Sequence, residues 1–317
     1  VRVANLEDRV GNIKATGDLR LRYRGSEKEN NAYAYGKHSK FDMRGRVQFN
    51  AKVNDNTSAV IRVTSGDVEF GDAENQGSSA DTRIDRIYVQ HKFGNNVTAT
   101  AGRYNQTIGA GLAYDATFDG AQVNVGNDRI NLQGAYGYLT STAIDDTKDL
   151  GNPEVAYVGL NGKLGQHVNV GGFYADVKGN VVTKRNHDLK ETPATATVNG
   201  GKIYGFNAEA NFNKIWVGGE WLKNKDVDHS NAWVAGLGYG NYDQAKSGTW
   251  DVKVQRFDLD KNAFVVDSTW NQAYNQNYKG WMATVDYALA NNVGLSAYYG
   301  FDSKDKQGND KADFYRA

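Results

Sequence analysis

The densest set of chemically capable side chains in this sequence is arginine. Arg20, Arg22 and Arg24, then Arg44 and Arg46, then Arg62 and Arg86, fall in one strand phase of successive segments, with Lys40, Lys52 and Lys92 beside them. At that spacing the guanidiniums project from a single face. Such a row repels itself unless water, counterions or acids accompany it. A solvated surface explains a single charged row, but seven arginines on neighbouring segments ask for a wet, shared space. Further along, Glu209, Glu220, Asp251 and Asp286 hold the polar phase. The chemistry these patterns offer is an electric field between a basic and an acidic wall, not bond making.

Other constellations carry less. Asp258, Asp260 and Asn262 occupy the first three ligand positions of a calcium loop, but the downstream Gly and Glu are missing. Gly109-x-Gly111 and Gly236-x-Gly238-x-Gly240 precede no helix, so they do not read as phosphate loops. The five histidines are scattered and no nucleophile elbow is present. Neither an enzyme nor a cofactor or metal site is expected. Lys+Arg and Asp+Glu both total 37, which removes the case for nucleic acid held by bulk charge.

The elements that position these residues repeat along the chain. Leu19, Leu21 and Tyr23 alternate with Arg20, Arg22 and Arg24, and Phe41, Met43, Val47 and Phe49 alternate with Asp42, Arg44, Arg46 and Gln48. A period of two marks strands with one apolar and one polar face. Sixteen such segments are expected, near 14–25, 39–53, 57–66, 83–93, 97–105, 117–125, 130–140, 154–163, 168–178, 202–212, 215–223, 232–240, 249–258, 278–289, 293–302 and 313 onward. Their connections alternate in length. Asn54-Asp55-Asn56, Gly94-Asn95-Asn96 and Gly126-Asn127-Asp128 are tight turns, whereas 67–82, 141–153, 179–201 and 259–277 are long and polar.

Short turns on one rim and long loops on the other predict an all-β, sixteen-stranded antiparallel barrel spanning a bacterial outer membrane, with the short rim and both termini in the periplasm. No stretch approaches the apolar length of a membrane helix. In such a barrel the apolar face meets lipid and the polar face meets water. Tyr23, Phe41, Trp281, Tyr299 and Phe301, with Phe93, Phe212 and Trp250, cluster at strand ends as an aromatic girdle. The arginines and the four acids then lie on roughly opposite walls of the bore. The connection 105–116, with Tyr114, Asp115 and Asp119 at its end, is a candidate constriction loop. Arg103 falls in the lipid-facing phase. Before the barrel, Val3, Leu6, Val10 and Ile13 follow heptad spacing, which reads either as the end of a coiled coil, a trimer contact, over 1–13 or as a short amphipathic helix packing on its own domain, ahead of a barrel over 14–317.

The run Gly11-Asn12-Ile13-Lys14-Ala15-Thr16-Gly17-Asp18-Leu19-Arg20-Leu21-Arg22-Tyr23, with Arg83-Ile84-Asp85-Arg86-Ile87-Tyr88-Val89 and Thr100-Ala101-Gly102-Arg103-Tyr104, resembles the barrel domain of OmpM-type porins, which carry an S-layer-homology domain and a periplasmic coiled coil. The resemblance implies a homotrimer of water-filled pores in contact with outer-leaflet lipids, passing small hydrophilic solutes by diffusion. It also implies a link to cell-wall polymer through an N-terminal domain absent from this sequence. Tyr315-Arg316-Ala317 departs from the aromatic-ended last strand of such barrels, so a shortened final strand is expected. A plugged barrel serving as an envelope anchor is the alternative.

Overall fold

The structure is a computed structural model that describes residues 11–26, 39–71, 82–140, 152–184 and 195–317. Sixteen strands form one antiparallel ring: β1 (Ile13–Ser26), β2 (Ser39–Lys52), β3 (Thr57–Thr64), β4 (Arg83–Phe93), β5 (Val97–Ile108), β6 (Tyr114–Gly126), β7 (Ile130–Leu139) and β8 (Glu154–Leu164). The second half comprises β9 (Val168–Lys178), β10 (Gly201–Phe212), β11 (Ile215–Asn224), β12 (Asn231–Gly240), β13 (Trp250–Leu259), β14 (Tyr278–Ala290), β15 (Val293–Lys304) and β16 (Phe314–Arg316). Every strand pairs with its sequence neighbours, and β16 pairs with both β15 and β1, setting Arg316 opposite Arg24 and Phe314 opposite Ser26. The ladder is thereby closed, which is the only way a sheet can satisfy its backbone in hydrocarbon. No helix of the described residues is long and apolar enough to cross a membrane.

The alternation puts the apolar phase outside. Leu19 is 74% exposed and Leu237 59%, along with Val47, Phe49, Ile87, Val89, Leu160 and Val285. A water-facing surface would not carry so continuous an apolar band. The heptad reading needs correction at its end. Ile13 opens β1 as an exposed strand residue, because Ile13 pairs across to Ala51 in the β1–β2 ladder. Val3, Leu6 and Val10 lie outside the described residues, and no coiled-coil helix occurs among those described.

Inside, the barrel is unevenly filled. β5 and β4 stay in register only up to Arg103 opposite Ile87, and β6 and β7 only up to Phe118 opposite Leu139. β5 and β6 remain paired with each other out to Ile108 opposite Tyr114. Residues 104–117 therefore leave the wall as a two-stranded hairpin whose tip, 109–113, reaches β11, five strands away. The 260–277 connection joins it there: Val266 N–H donates to the Ala113 carbonyl at 2.9 Å, and Asp115 N–H to the Asp267 carbonyl at 2.7 Å. A small hairpin, Val181–Lys184 paired with Thr195–Val198, covers this connection through the Thr183 hydroxyl, 2.8 Å from the Val266 carbonyl.

These pieces enclose a dry cluster. Ile108, Leu112 and Tyr114 of the hairpin pack with inward Phe118, Phe173, Ile203, Leu222 and Phe257 of the wall, and with Phe264, Val265 and Tyr274 of the connection. Burial of each such side chain stabilises by about 1.5–3 kcal/mol, and that holds the loops within the ring. The other side of the lumen, along β1–β4, stays polar.

The outward phase is directly testable. Replacing Leu237, on the outer face of β12, with Arg is expected to destabilise the barrel by about 2–4 kcal/mol in lipid vesicles, measured by reversible urea unfolding. A change within about 0.5 kcal/mol, ordinary for a surface position in water, would contradict lipid exposure.

Candidate pore constriction

On the polar side the arginines stand among carboxylates. Arg22 grips Asp42 through Nε and Nη2 at 3.1 Å, Arg24 Nη2 reaches the same carboxylate at 2.7 Å, and the Asp42 side chain is wholly buried. Asp67 accepts from Arg22 at 2.8 Å and also from Arg20. Arg46 is paired to Asp18 at 2.9 Å, and Arg62 forms a two-point contact with Asp85 at 2.7 and 2.8 Å. Such fork-on-carboxylate contacts fix the side chains in place.

Two guanidiniums lack that compensation. Arg44 comes no closer than 4.0 Å to Asp18, and its Nε is buried without a hydrogen-bond partner. Arg86 bonds neutral oxygens: the Asp85 carbonyl at 2.7 Å, Thr117 Oγ1 at 2.6 Å and Asn105 Oδ1 at 2.9 Å. Among the described residues, these seven arginines meet four carboxylates, Asp18, Asp42, Asp67 and Asp85. Asp42, Asp18, Asp67 and Asp85 were the partners that the sequence pattern left unassigned, although Asp42 alternates with Phe41 and Met43 in plain view.

Across from the arginines, the hairpin presents its other face. Asp115 accepts from Asn105 Nδ2 at 2.5 Å and Thr107 Oγ1 at 2.8 Å. Tyr114 is fully buried in the dry cluster and its hydroxyl donates to the Thr117 carbonyl. Asp119, expected in the constriction, is instead in the outward phase of β6, next to inward Phe118, and is bound in a two-point contact by Arg103 at 2.7 and 2.6 Å. In the lumen, a cavity of about 500 Å³ lies between Arg20 and Arg44 on one side and Ser268, Thr269 and Asn271 on the other. The 260–277 connection therefore supplies much of the surface facing the arginines. The sequence pattern marks it only as a long polar connection; the signal it holds is the apolar run Ala263-Phe264-Val265-Val266.

The four acids expected on one wall occupy three different settings. Glu220 is 3% exposed. One oxygen accepts from Ala110 N–H at 2.8 Å, and the other from Leu112 N–H and Trp270 Nε1–H, both at 2.9 Å. A single carboxylate thus ties both inward loops to β11. Gly109 (φ 65°) makes room for it, since a Cβ there would lie 2.2 Å from Glu220 Oε1. Glu209 accepts from Asn169 Nδ2 at 3.0 Å and from Trp216 Nε1 at 3.3 Å. Asp251 and Asp286 face each other across β13 and β14, with the Ser296 hydroxyl donating to Asp286.

The calcium-like triplet is satisfied by a side chain. The Lys306 ammonium pairs with Asp258 and, at 3.2 Å, with Asp260. Burial works against its charge, but hydrogen bonds to the two carboxylates outweigh that and raise its pKa. No metal-ligating cluster occurs among the described residues.

Comparisons agree with this geometry. The family model described as "Putative porin" matches residues 30–144. A Rhodopseudomonas blastica porin mutant with two introduced tryptophans superposes with a TM-score of 0.58 at 14% identity, covering 96% of this chain and 99% of that one. A triple mutant of the same porin gives 0.60 at 13% identity, covering 96% and 97%. A structure described as showing asymmetric conductivity of engineered proteins gives 0.58 at 14%, covering 96% and 98%. No curated protein matches. The fold is that of a porin: a closed sixteen-stranded transmembrane barrel with loops folded into its lumen.

The Glu220 tie is expected to set the width of the bore. Glu220→Ala leaves the Ala110 and Leu112 N–H groups without an acceptor, at about 1–3 kcal/mol each if they stay buried, and leaves the Trp270 indole N–H only the Ala110 carbonyl at 3.1 Å. The loops are expected to loosen, giving a higher and noisier single-channel conductance. Gly109→Val should do the same by steric exclusion. Wild-type conductance and noise in both variants would show that Glu220 does not hold the loops.

Proposed function

We propose that this chain is an outer-membrane diffusion porin for small hydrophilic solutes and ions. What supports the reading above all is the inversion of faces: an apolar band outside, and charged side chains grouped around a polar passage inside. The passage is eccentric, bounded by Arg20, Arg44, Arg46, Arg62 and Arg86 on one side and by Asp115 with the 267–271 segment on the other. A solute threading it crosses a field directed from the arginines to the loops. No covalent step is required of the protein.

The same reading places both termini on the periplasmic, short-turn rim and takes the working unit as a homotrimer surrounded by outer-leaflet lipid. The resemblance of residues 11–23 to OmpM-type barrels favours an added role in linking the membrane to cell-wall polymer. The dry cluster around Leu112, Phe264 and Tyr274 gives weight to a second reading, a plugged barrel that serves only as an anchor. Conductance separates the two.

In planar bilayers the protein should insert with stepwise, ohmic current; inserted but silent protein would favour the anchor. Replacing Arg44 and Arg46 together with Ser is expected to move the reversal potential in a salt gradient toward cations, because it removes two positive charges from the passage while Asp18 remains. An unmoved potential would mean that these side chains do not line the path.

A further inference from the structure

Beyond the charged constriction lies a feature that neither the field nor the plug explains. Trp216 sits in the inward phase of β11, since its neighbours Ile215 and Val217 are both exposed on the outer face. The wall beneath it is glycine. A Cβ at Gly218 would lie 2.5 Å from the indole, at Gly236 2.8 Å and at Gly238 3.5 Å. The ring therefore lies across the backbone of β11 and β12, with room made on both strands. An aromatic ring that only filled space would be buried; Trp216 is partly exposed.

Polar side chains and a second indole surround it. The indole N–H points to Glu209, which Asn169 also holds. Lys253 Nζ stands 4.8 Å from the ring centroid, and Trp270, tied to Glu220 at the constriction, follows at 6.2 Å. Toward β8–β10 the wall turns to carboxamides: Asn161 and Asn207 converge over Gly171, where a Cβ would lie 2.3 and 2.6 Å from their oxygens, and Asn207 Oδ1 is buried without a partner. A cavity of about 320 Å³ lies there, beneath the hairpin tip and lined by Asn161, Asn169, Asn207 and Glu209, within the size range of small-ligand sites; Trp216 borders a neighbouring cavity of about 200 Å³ with Lys253, and Glu209, bonded to the indole, joins the two.

We propose that Trp216, with Glu209, Asn169 and Asn207, forms a binding station for a neutral polyhydroxylated solute of hexose size, on the short-turn side of the constriction. The inference rests on the lumen being a water-filled pore. With the Lys253 side chain, which lies over the ring, swung aside, a flat indole takes the C–H face of a pyranose, while carboxylate and amides pair with its hydroxyls as acceptors and donors. Charges of both signs line the station, Glu209 and Asp128 with Lys253, Arg129 and Lys163, in contrast to the arginine wall. Trp270 and Trp216 then form two successive rings leading from the constriction into the vestibule.

The test is sugar-dependent block of single-channel current in planar bilayers, with glucose and maltose added on either side and urea as a small neutral control. Wild type is expected to show saturable block by both sugars in the millimolar range and none by urea. Trp216→Ala should weaken the sugar dissociation constant by about tenfold, a loss of about 1.4 kcal/mol; Trp216→Phe should recover part of it, and Glu209→Gln should weaken it by a smaller factor. Should Trp216→Ala fail to insert, the Phe and Gln variants carry the comparison. A conducting wild type without saturable sugar block, or variants with unchanged sugar constants, would overturn the station while leaving the pore intact. A silent wild type would instead sink the pore itself.

Discussion

A backbone N–H or carbonyl left unbonded in hydrocarbon costs several kcal/mol, and most of this molecule follows from avoiding that. The sheet must close, so β16, three residues long, pairs with β15 on one side and β1 on the other. Closure fixes which phase of every strand meets lipid. Most remaining polar, charged and irregular elements are then driven into the lumen or onto the rims, and the outward Arg103 and Asp119 neutralise each other. The long connections that enter the lumen meet the same demand there: the amides of Ala110 and Leu112 find Glu220, and that of Val266 finds Ala113.

The lumen divides into two regimes as a result. Along β1–β4 guanidiniums and carboxylates interlock, and Asp42 is wholly buried among arginines. A buried carboxylate of that kind is tolerable only while its partners stay in place, so this wall is stiff as well as charged. Along the long-loop half of β5–β14 the inward phase is apolar and packs against the loops. The passage is pushed toward the arginines by a hydrophobic core built inside a membrane barrel.

Strand number and phase were legible because a period of two is a local property. The expected β4 and β9 agree with the observed bounds, and most others differ by a residue or two. The departures have physical causes. β5 and β6 extend to Ile108 and back to Tyr114 because the hairpin continues pairing after it leaves the wall, which no single strand's alternation reports. The short hairpin at Val181 and Val198 was absorbed into a long loop. The acids were less legible still: Glu220 shares its phase with Glu209, yet one ties loops and the other braces an indole. That difference depends on where residues 110, 112 and 270 arrive in space. The inward apolar patch had a signal in hindsight, since Ile203 and Tyr204, or Leu222 and Trp221, are apolar in both phases near the long-loop rim, whereas β1 and β2 alternate cleanly.

The chain contains no cysteine, which permits the most direct test of the inverted barrel. Single cysteines at Arg44 and at Val47, in opposite phases of β2, can be exposed in proteoliposomes to a charged, membrane-impermeant thiol reagent while current is recorded. The account predicts rapid modification at position 44 with a step change in conductance, and no modification at position 47. Modification at 47 with protection at 44 would contradict it.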